Sequence, residues 1–176
     1  LVGSEMCIRD RDNSFDTIIS FQVIEHINDD ELFISEIKRI LRPGGMALIT
    51  TPNIKMTLTR NPWHIREYTS KQLRDLCEKY FSSVEVNGIS GNEKVIKYYN
   101  QNLDSVQRFK KLDVFNLEKR LPNFIYKIPY EILNRMNRNN LKKNDGKLVS
   151  SITYKDYELV KDSPTNLDLF LVLRKN

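Results

Sequence analysis

The chain has 176 residues, a length typical of one domain, with 28 Lys and Arg against 23 Asp and Glu. Hydrophobic residues make up 40% and charged residues 29%, as in an ordinary globular protein and unlike a disordered one. No apolar run approaches the roughly 18 residues that a membrane span needs, and two cysteines exclude a disulfide framework. The sequence therefore predicts a cytoplasmic protein.

Residues 1–11, with the sequence LVGSEMCIRDR, show no hydrophobic periodicity. They resemble a translated sequencing-adapter artefact, and we expect them to be a non-native leader. This segment carries two acidic and two basic residues, so its exclusion leaves the net charge unchanged.

Residues 15–53 predict one strand–helix–strand unit. Residues 15–21 form a short apolar run that suits a strand buried on both faces of a parallel sheet. Asn28 and Glu31 have the spacing of a capping box, and apolar residues follow at helical spacing. Residues 43–45, Pro-Gly-Gly, end that helix, and residues 46–51 form the next strand.

Polar side chains collect where these two strands end. A crossover of this kind is nearly always right-handed and joins parallel strands, so both carboxyl ends lie at one edge of the sheet. Ligands of open α/β sheets bind beyond that edge. The residues expected there are Gln22, Glu25, His26 and Asn53.

The rest of the chain predicts a second helix and two further strands. Thr69 and Gln72 form another capping box, followed by an apolar helical stripe in which Cys77 is a small core residue. Residues 83–89 alternate as a strand does. The almost continuously apolar residues 167–174 predict an interior strand.

Between those two strands lies a long insertion, residues 92–166. We expect helices over residues 95–112 and 130–141, with breaks at Pro122 and Pro129. A connection this long inside a domain is usually functional. Residues 108–147 contain eleven Lys and Arg against four Asp and Glu. This charge indicates a solvated face, an attractor for an anionic acceptor or, without a recognised motif, a nucleic-acid surface.

Five motifs in order resemble class I S-adenosylmethionine-dependent methyltransferases, especially the bacterial group that acts on small molecules and glycans. They are FD at residues 15–16, VIEHI at 23–27, LRPGG at 41–45, TPN at 51–53 and NPWHIREYT at 61–69. The resemblance implies a Rossmann-like α/β sheet that this chain enters at the fourth strand. It also implies a last strand that is antiparallel to its neighbours.

The same resemblance implies a cofactor-binding Gly-rich turn before the fourth strand, and residues 1–14 contain none. We therefore expect residues 12–176 to be the C-terminal part of a methyltransferase domain, truncated at its N-terminus. The intact parent would transfer a methyl group from S-adenosylmethionine to an oxygen or nitrogen of a small molecule, such as a saccharide or a lipid-linked intermediate. The alternative is a non-catalytic fragment without a competent cofactor site.

The family also implies roles for particular residues. Phe21 and Gln22 correspond to positions that line the cofactor, although Phe21 is equally suited to the core. The insertion, residues 92–166, would cover the acceptor. Methyl transfer needs alignment and often the removal of one proton, and His is the natural base near neutral pH. His26 and His64 are therefore the candidate catalytic residues.

Each histidine also has a purely structural interpretation. His26 can hydrogen-bond the backbone of the loop that it begins. His64 can belong to a lid held by Trp63 packing and by an Arg66–Glu67 or helix-cap contact. Both alternatives stay open at the level of the sequence.

We expect no metal ion. Ubiquinone-biosynthesis and small-RNA methyltransferases hold a divalent ion with a Glu-x-x-Glu-His motif, but Gln22 replaces the first Glu here, and an amide is a poorer ligand. A site made by Glu25, His26 and His64 is the remaining alternative.

Other partners follow from the sheet and the charge pattern. An unpaired sheet edge would permit oligomerisation. We do not expect nucleic-acid binding. A nicotinamide-dependent Rossmann enzyme shares the strand–helix–strand unit, but the Glu25-His26 pair and an interior terminal strand argue against it.

Overall fold

The fold is built on one five-stranded sheet flanked by helices. The structure is a computed structural model, and it describes residues 10–112 and 122–176, so most of the expected leader lies outside it. The strands are β1 (Phe15–Phe21), β2 (Leu41–Pro52), β3 (Ser83–Gly91), β4 (Tyr157–Lys161) and β5 (Asp168–Arg174). The helices are α1 (Asp30–Ile40), α2 (Ser70–Glu78), α3 (Glu93–Leu112) and α4 (Asn123–Ser151), with single 3-10 turns at Ile24–His26 and Tyr154–Asp156.

The strand order is β1-β2-β5-β3-β4. The pair β1–β2 is parallel, whereas β5 runs antiparallel to both of its neighbours, β2 and β3. The predicted mixed α/β sheet, with an interior and antiparallel last strand, is confirmed.

The sequence predicts that β1 is buried on both faces, but within the described chain β1 lies exposed at the edge of the sheet. β1 is an edge strand, and Ile19 and Phe21 expose 61% and 56% of their surface. Within the described chain no strand pairs with its outer side, and of its seven residues only Ser20 is buried. Oligomerisation through this edge stays a prediction.

The core lies where α1 and α2 pack on the central strands. It joins helix residues with residues of β2 and β5, namely Phe33, Ile34, Ile37, Leu73, Leu76, Cys77, Ala47, Ile49, Leu169, Leu171 and Leu173. The burial of Cys77 in this cluster confirms its predicted role, and it raises the pKa of the thiol to about 12.

Both ends of α1 differ from the expectation. The capping residue is Asp29, whose side chain accepts a hydrogen bond from the Leu32 backbone N–H at 2.8 Å, in place of the predicted Asn28. Glu31 pairs instead with Lys79. At the other end, the Lys175 ammonium donates at 2.7 Å to the carbonyl oxygen of Lys38 in the last turn of the helix, and also at 2.7 Å to that of Leu41 just beyond it.

The Pro-Gly-Gly segment follows the helix without a separate turn. α1 ends at Ile40 and β2 begins at Leu41, so the two glycines lie in an irregular stretch of β2 opposite β1. Gly44 has φ +78°, and a Cβ on Gly45 would lie 3.0 Å from the Asp16 carbonyl oxygen. The close approach of β1 therefore requires glycine here.

The insertion is mainly but not entirely helical. β4 adds an unpredicted edge strand beside β3. α4 continues through position 129, where we expected a break, and it bends instead at Asp145, which has φ −147° and ψ 55°. A proline removes a single backbone hydrogen bond, and helices can continue through it. Residues 113–121 lie outside the description. Among the described residues, no helix is long and apolar enough to cross a membrane.

Asp156 joins the two ends of the insertion. Its carboxylate accepts hydrogen bonds from the Asn92 side chain at 2.7 Å and from the Thr153 backbone N–H at 2.8 Å, and it pairs with Lys94 at 3.1 Å. The Thr153 and Asn92 hydrogen bonds are the main reasons why the pKa of Asp156 lies well below the ordinary value of 3.8.

We predict that Asp156→Asn destabilises the fold at neutral pH. The uncharged amide has one acceptor oxygen in place of two, so it cannot accept all of these hydrogen bonds, and it cannot form the ion pair with Lys94. The carboxylate is charged in both the folded and the unfolded chain above pH 3.8, and its contribution is lost as pH falls through the lower folded pKa. The parent–variant difference in the urea midpoint should therefore be full at about pH 7 and shrink only in acid. A constant difference at every pH would contradict this assignment.

Candidate functional site

The carboxyl ends of β1 and β2 bring the predicted site residues together. Glu25 and His26 lie in the 3-10 turn after β1, and His64 lies in the loop of residues 54–69 after β2. The two imidazole rings meet edge to face with centroids 4.9 Å apart. The predicted meeting of both histidines at this edge of the sheet is thus observed.

The loop that carries His64 is fastened to the sheet and to α1. The Ile65 backbone N–H donates to the Glu25 carbonyl oxygen at 2.7 Å. The buried Tyr68 hydroxyl and Arg66 both donate to Asp30, at 2.7 and 2.9 Å. Burial, followed by the hydrogen bond to Asp30, raises the pKa of Tyr68 above its ordinary value.

The expected Arg66–Glu67 contact is not the one that holds the loop. Arg66 pairs with Asp30 instead, and Glu67 turns inward to His64. Trp63 does not pack inside the loop either, because 48% of its surface is exposed and the Lys127 ammonium lies 3.7 Å above its ring.

His64 is held in one tautomer by its neighbours. The Trp63 backbone N–H donates to Asn61 Oδ1 at 3.0 Å, which turns Asn61 Nδ2 toward His64 Nε2 at 2.8 Å. An amide nitrogen only donates, so Nε2 is the acceptor and Nδ1 carries the proton. That Nδ1–H donates to Glu67 Oε1 at 2.6 Å, and Glu67 is itself held by the Thr57 hydroxyl.

His26 is fixed through the same nitrogen. Its Nδ1 donates to the Trp63 carbonyl oxygen at 2.9 Å, and its Nε2 lies 3.9 Å from Glu25 Oε1. The backbone-bonding interpretation of His26 is therefore partly right, but the bond reaches across to the second loop and not along its own.

Glu25 lies beneath the two rings. Its side chain is 1% exposed and accepts a hydrogen bond from the Thr51 hydroxyl at 2.9 Å. Three potential metal-ligand atoms, one each from Glu25, His26 and His64, all lie within 4.8 Å of one another. Histidines that bind metals usually donate their second nitrogen to a carboxylate or carbonyl, as both do here. These three residues fit a divalent ion.

Gln22 stands where a first Glu would be in the metal-binding motif. Its backbone is left-handed, with φ +55°, an uncommon conformation for a residue other than glycine. Its side chain lies near Asp168, a residue that sequence reasoning missed. Burial raises the pKa of Asp168, the nearby Gln22 side chain lowers it, and the nearby Glu25 raises it further.

Phe21 is not a core residue, since 56% of its surface is exposed. With Gln22 it ends the edge strand β1, so both residues can border a ligand beyond the sheet. The cofactor-binding role that the resemblance implies for this pair stays a prediction.

A cavity of about 330 Å³ opens beside His64, beneath the insertion. Its wall includes residues that sequence reasoning missed, from α3 (Tyr98, Asn102, Val106) and from α4 (Tyr130, Asn134, Asn137, Arg138). The α4 set has the spacing i, i+4, i+7, i+8, so helical periodicity could have grouped it. A wider groove of about 720 Å³ shares Asn61, Tyr130, Asn134 and Arg138 and extends past Trp63.

Asn137 gives this cavity an unpaired acceptor. The residue is 8% exposed and its amide nitrogen donates to Asn102 Oδ1 at 2.5 Å. Its Oδ1 is buried without a hydrogen-bond partner in the described part of the chain. Such an atom is costly unless a ligand or a water molecule donates to it.

Comparisons with known proteins show which families this chain is similar to. A family model described as a methyltransferase domain matches residues 5–49. A probable S-adenosylmethionine-dependent methyltransferase of Mycolicibacterium smegmatis is 42% identical over 80 residues, 42% of this chain and 31% of that protein. A ubiquinone biosynthesis O-methyltransferase of Brucella ovis is 25% identical over 119 residues, 61% of this chain and 47% of that protein.

Among solved structures, the match to a possible histamine N-methyltransferase of Thermotoga maritima covers 96% of this chain and 59% of the Thermotoga chain. It has a TM-score of 0.55 and 13% identity, a likeness of fold. The chain thus resembles class I S-adenosylmethionine-dependent methyltransferases in sequence and in fold, which confirms the family resemblance predicted from its motifs. The chain spans less than half the length of the two curated relatives named above.

We predict that Glu67 keeps the proton of His64 on Nδ1. In long-range ¹H–¹⁵N spectra, the parent should show a single Nδ1–H tautomer, and Glu67→Ala should show a mixture because the carboxylate acceptor is gone. Glu78→Ala, on the surface of α2, is the matched control and should leave the His64 signals unchanged. An Nε2–H tautomer in the parent would contradict the hydrogen-bond assignment.

Proposed function

We propose that the protein containing these residues transfers a methyl group from S-adenosylmethionine to a hydroxyl oxygen of a small molecule. When bound, the cofactor supplies a methyl group activated by a positively charged sulfur. Phe21 and Gln22 border it at the end of β1. The single observation that supports the proposal best is the fixed His64 ring in the wall of the cavity beneath the insertion.

His64 is the proposed general base. Because Glu67 holds the Nδ1 proton, the Nε2 lone pair is available to an acceptor hydroxyl once the Asn61 amide gives way. His64 Nε2 would take the hydroxyl proton as the acceptor oxygen receives the methyl group that the cofactor would supply with its sulfur as the leaving group. His26 provides the second basic group at the same edge.

The acceptor that we propose is a saccharide, free or lipid-linked. Four amide side chains, Asn61, Asn102, Asn134 and Asn137, and two tyrosines line the cavity. Amides both donate and accept hydrogen bonds, as a polyhydroxylated ring requires. Arg138 in the same wall would favour an anionic group such as a phosphate. The insertion, residues 92–166, is thereby the proposed acceptor cover.

We expect His64→Ala to lower kcat by about 10²–10⁴ and to leave the KM for S-adenosylmethionine nearly unchanged, because the base acts on the acceptor. Radiolabelled methyl transfer to a panel of hexoses and hexose phosphates measures this. The protein is expressed from the complete open reading frame that encodes residues 12–176. Lys71→Ala on the exposed face of α2 is the control, and equal turnover of the His64 variant and parent would remove the role.

A second candidate keeps the same reaction but adds a divalent ion. The observation that favours it is the close meeting of Glu25, His26 and His64. Those residues would hold the ion, which would supply a positive charge to the acceptor oxygen. With an ion, EDTA should abolish turnover, Mn²⁺ or Zn²⁺ should restore it, and His26→Ala should cost as much as His64→Ala. With His64 acting as a simple base, EDTA should have no effect.

The non-catalytic alternative is tested on the 176-residue chain alone. Calorimetric titration with S-adenosylmethionine separates the two cases, since a chain without a competent cofactor site releases no binding heat.

We keep the cytoplasmic location and the absence of nucleic-acid binding as parts of the proposal. Retention on a heparin column to high salt would contradict the second of these.

A further inference from the structure

Helix α4 turns polar side chains toward the cavity and exposes apolar side chains on its outer face. The face that lines the cavity carries Tyr130, Asn134, Asn137 and Arg138. The outer face carries large apolar side chains that are 39–68% exposed, namely Ile125, Ile128, Ile132, Leu133 and Met136. A surface helix ordinarily turns its apolar side inward, so this arrangement requires an explanation.

The apolar residues form one stripe. At 100° per residue, Ile125, Ile132 and Met136 fall within a narrow sector, with Ile128 and Leu133 on its two sides. We call these five residues the α4 stripe. Contiguous exposed apolar patches mark binding surfaces for proteins or membranes, whereas single exposed residues need no explanation.

The charge around the stripe is basic. Residues 125–143 contain five Lys and Arg and one acidic residue, Glu131. Arg135 and Lys143 are exposed beside the stripe. Apolar side chains beside Lys and Arg are the signature of a helix that lies in the interface of an anionic membrane.

The wider groove described above borders the α4 stripe. That groove is bordered by Ile132 of the stripe, by Arg135 and by the exposed Trp63. It shares four residues with the cavity beside His64. A surface that receives the stripe therefore lies next to an opening that leads toward His64.

We infer that the outer face of α4 docks on an anionic lipid bilayer, with the α4 stripe in the interface and the basic residues on the lipid headgroups. Charge complementarity selects this occupant, because a second copy of the chain would bring two basic surfaces together. The inference is independent of methyl transfer, and vesicle binding can succeed or fail whether or not the enzyme turns over.

The test is co-sedimentation with vesicles of phosphatidylcholine alone and of phosphatidylcholine with phosphatidylglycerol. The protein is expressed from the open reading frame that encodes residues 12–176. It should pellet with the anionic vesicles and not with the neutral ones. The double change Ile128→Asp with Ile132→Asp should lower the partition coefficient by more than about tenfold. Arg135→Gln and Lys143→Gln should each lower it about fivefold, and added salt should weaken binding.

Leu32→Asp is the matched control, an exposed leucine on α1 that is 48% accessible, and it should bind vesicles as the parent does. All of these positions are at the surface, so the variants should keep the parent's thermal unfolding midpoint, which is checked first. No pelleting with anionic vesicles, or equal pelleting of the double variant and parent, would overturn the inference. A dimer in solution that the double variant dissociates, without vesicle binding, would also overturn it and assign the stripe to a second copy.

Discussion

The site depends on the docking of one loop onto the turn that follows β1. Backbone N–H groups of Ile65 and Arg66 donate to the Glu25 carbonyl oxygen, and His26 Nδ1 donates to the Trp63 carbonyl oxygen. Both partners lie at the carboxyl ends of parallel neighbouring strands, so the sheet sets their separation and the loop adds the final fit. Asn61 and Glu67 of the same loop fix the His64 ring, and this docking places the fixed ring against His26.

Much of the framework could be predicted, because it rests on local patterns. The parallel β1–β2 unit, the Thr69 capping box and the interior antiparallel β5 follow from periodicity, capping chemistry and the family's strand order. The edge position of β1 could not be read from its apolar sequence. A continuous apolar run indicates burial, but exposure depends on which neighbours a strand finds in the sheet.

The sequence could predict where the site lies in the sheet, but not which side chains contact one another there. His26, His64 and Gln22 belong to motifs, and their meeting at one edge follows from the crossover rule. Glu67 as the partner of His64 depends on how their loop folds, and the nearness of Asp168 to Gln22 depends on the pairing of distant strands. The simplest local guess, an Arg66–Glu67 pair, was wrong because Arg66 finds Asp30 on α1, where Tyr68 already binds.

Helix α4 shows why the function of the insertion cannot be reduced to its charge. The eleven basic residues of positions 108–147 suggested a solvated face or an attractor for anions, but the structure separates two surfaces on one helix. Amide side chains face the cavity beside His64, and apolar ones face away from it. A polar inner face accommodates a polar ligand or water, whereas an apolar outer face exposed to water is unfavourable, so folding of the helix alone does not explain the outer face. The bilayer that we propose for the outer face and the saccharide that we propose for the inner face are therefore separate ligands of one helix, and each proposal is tested on its own.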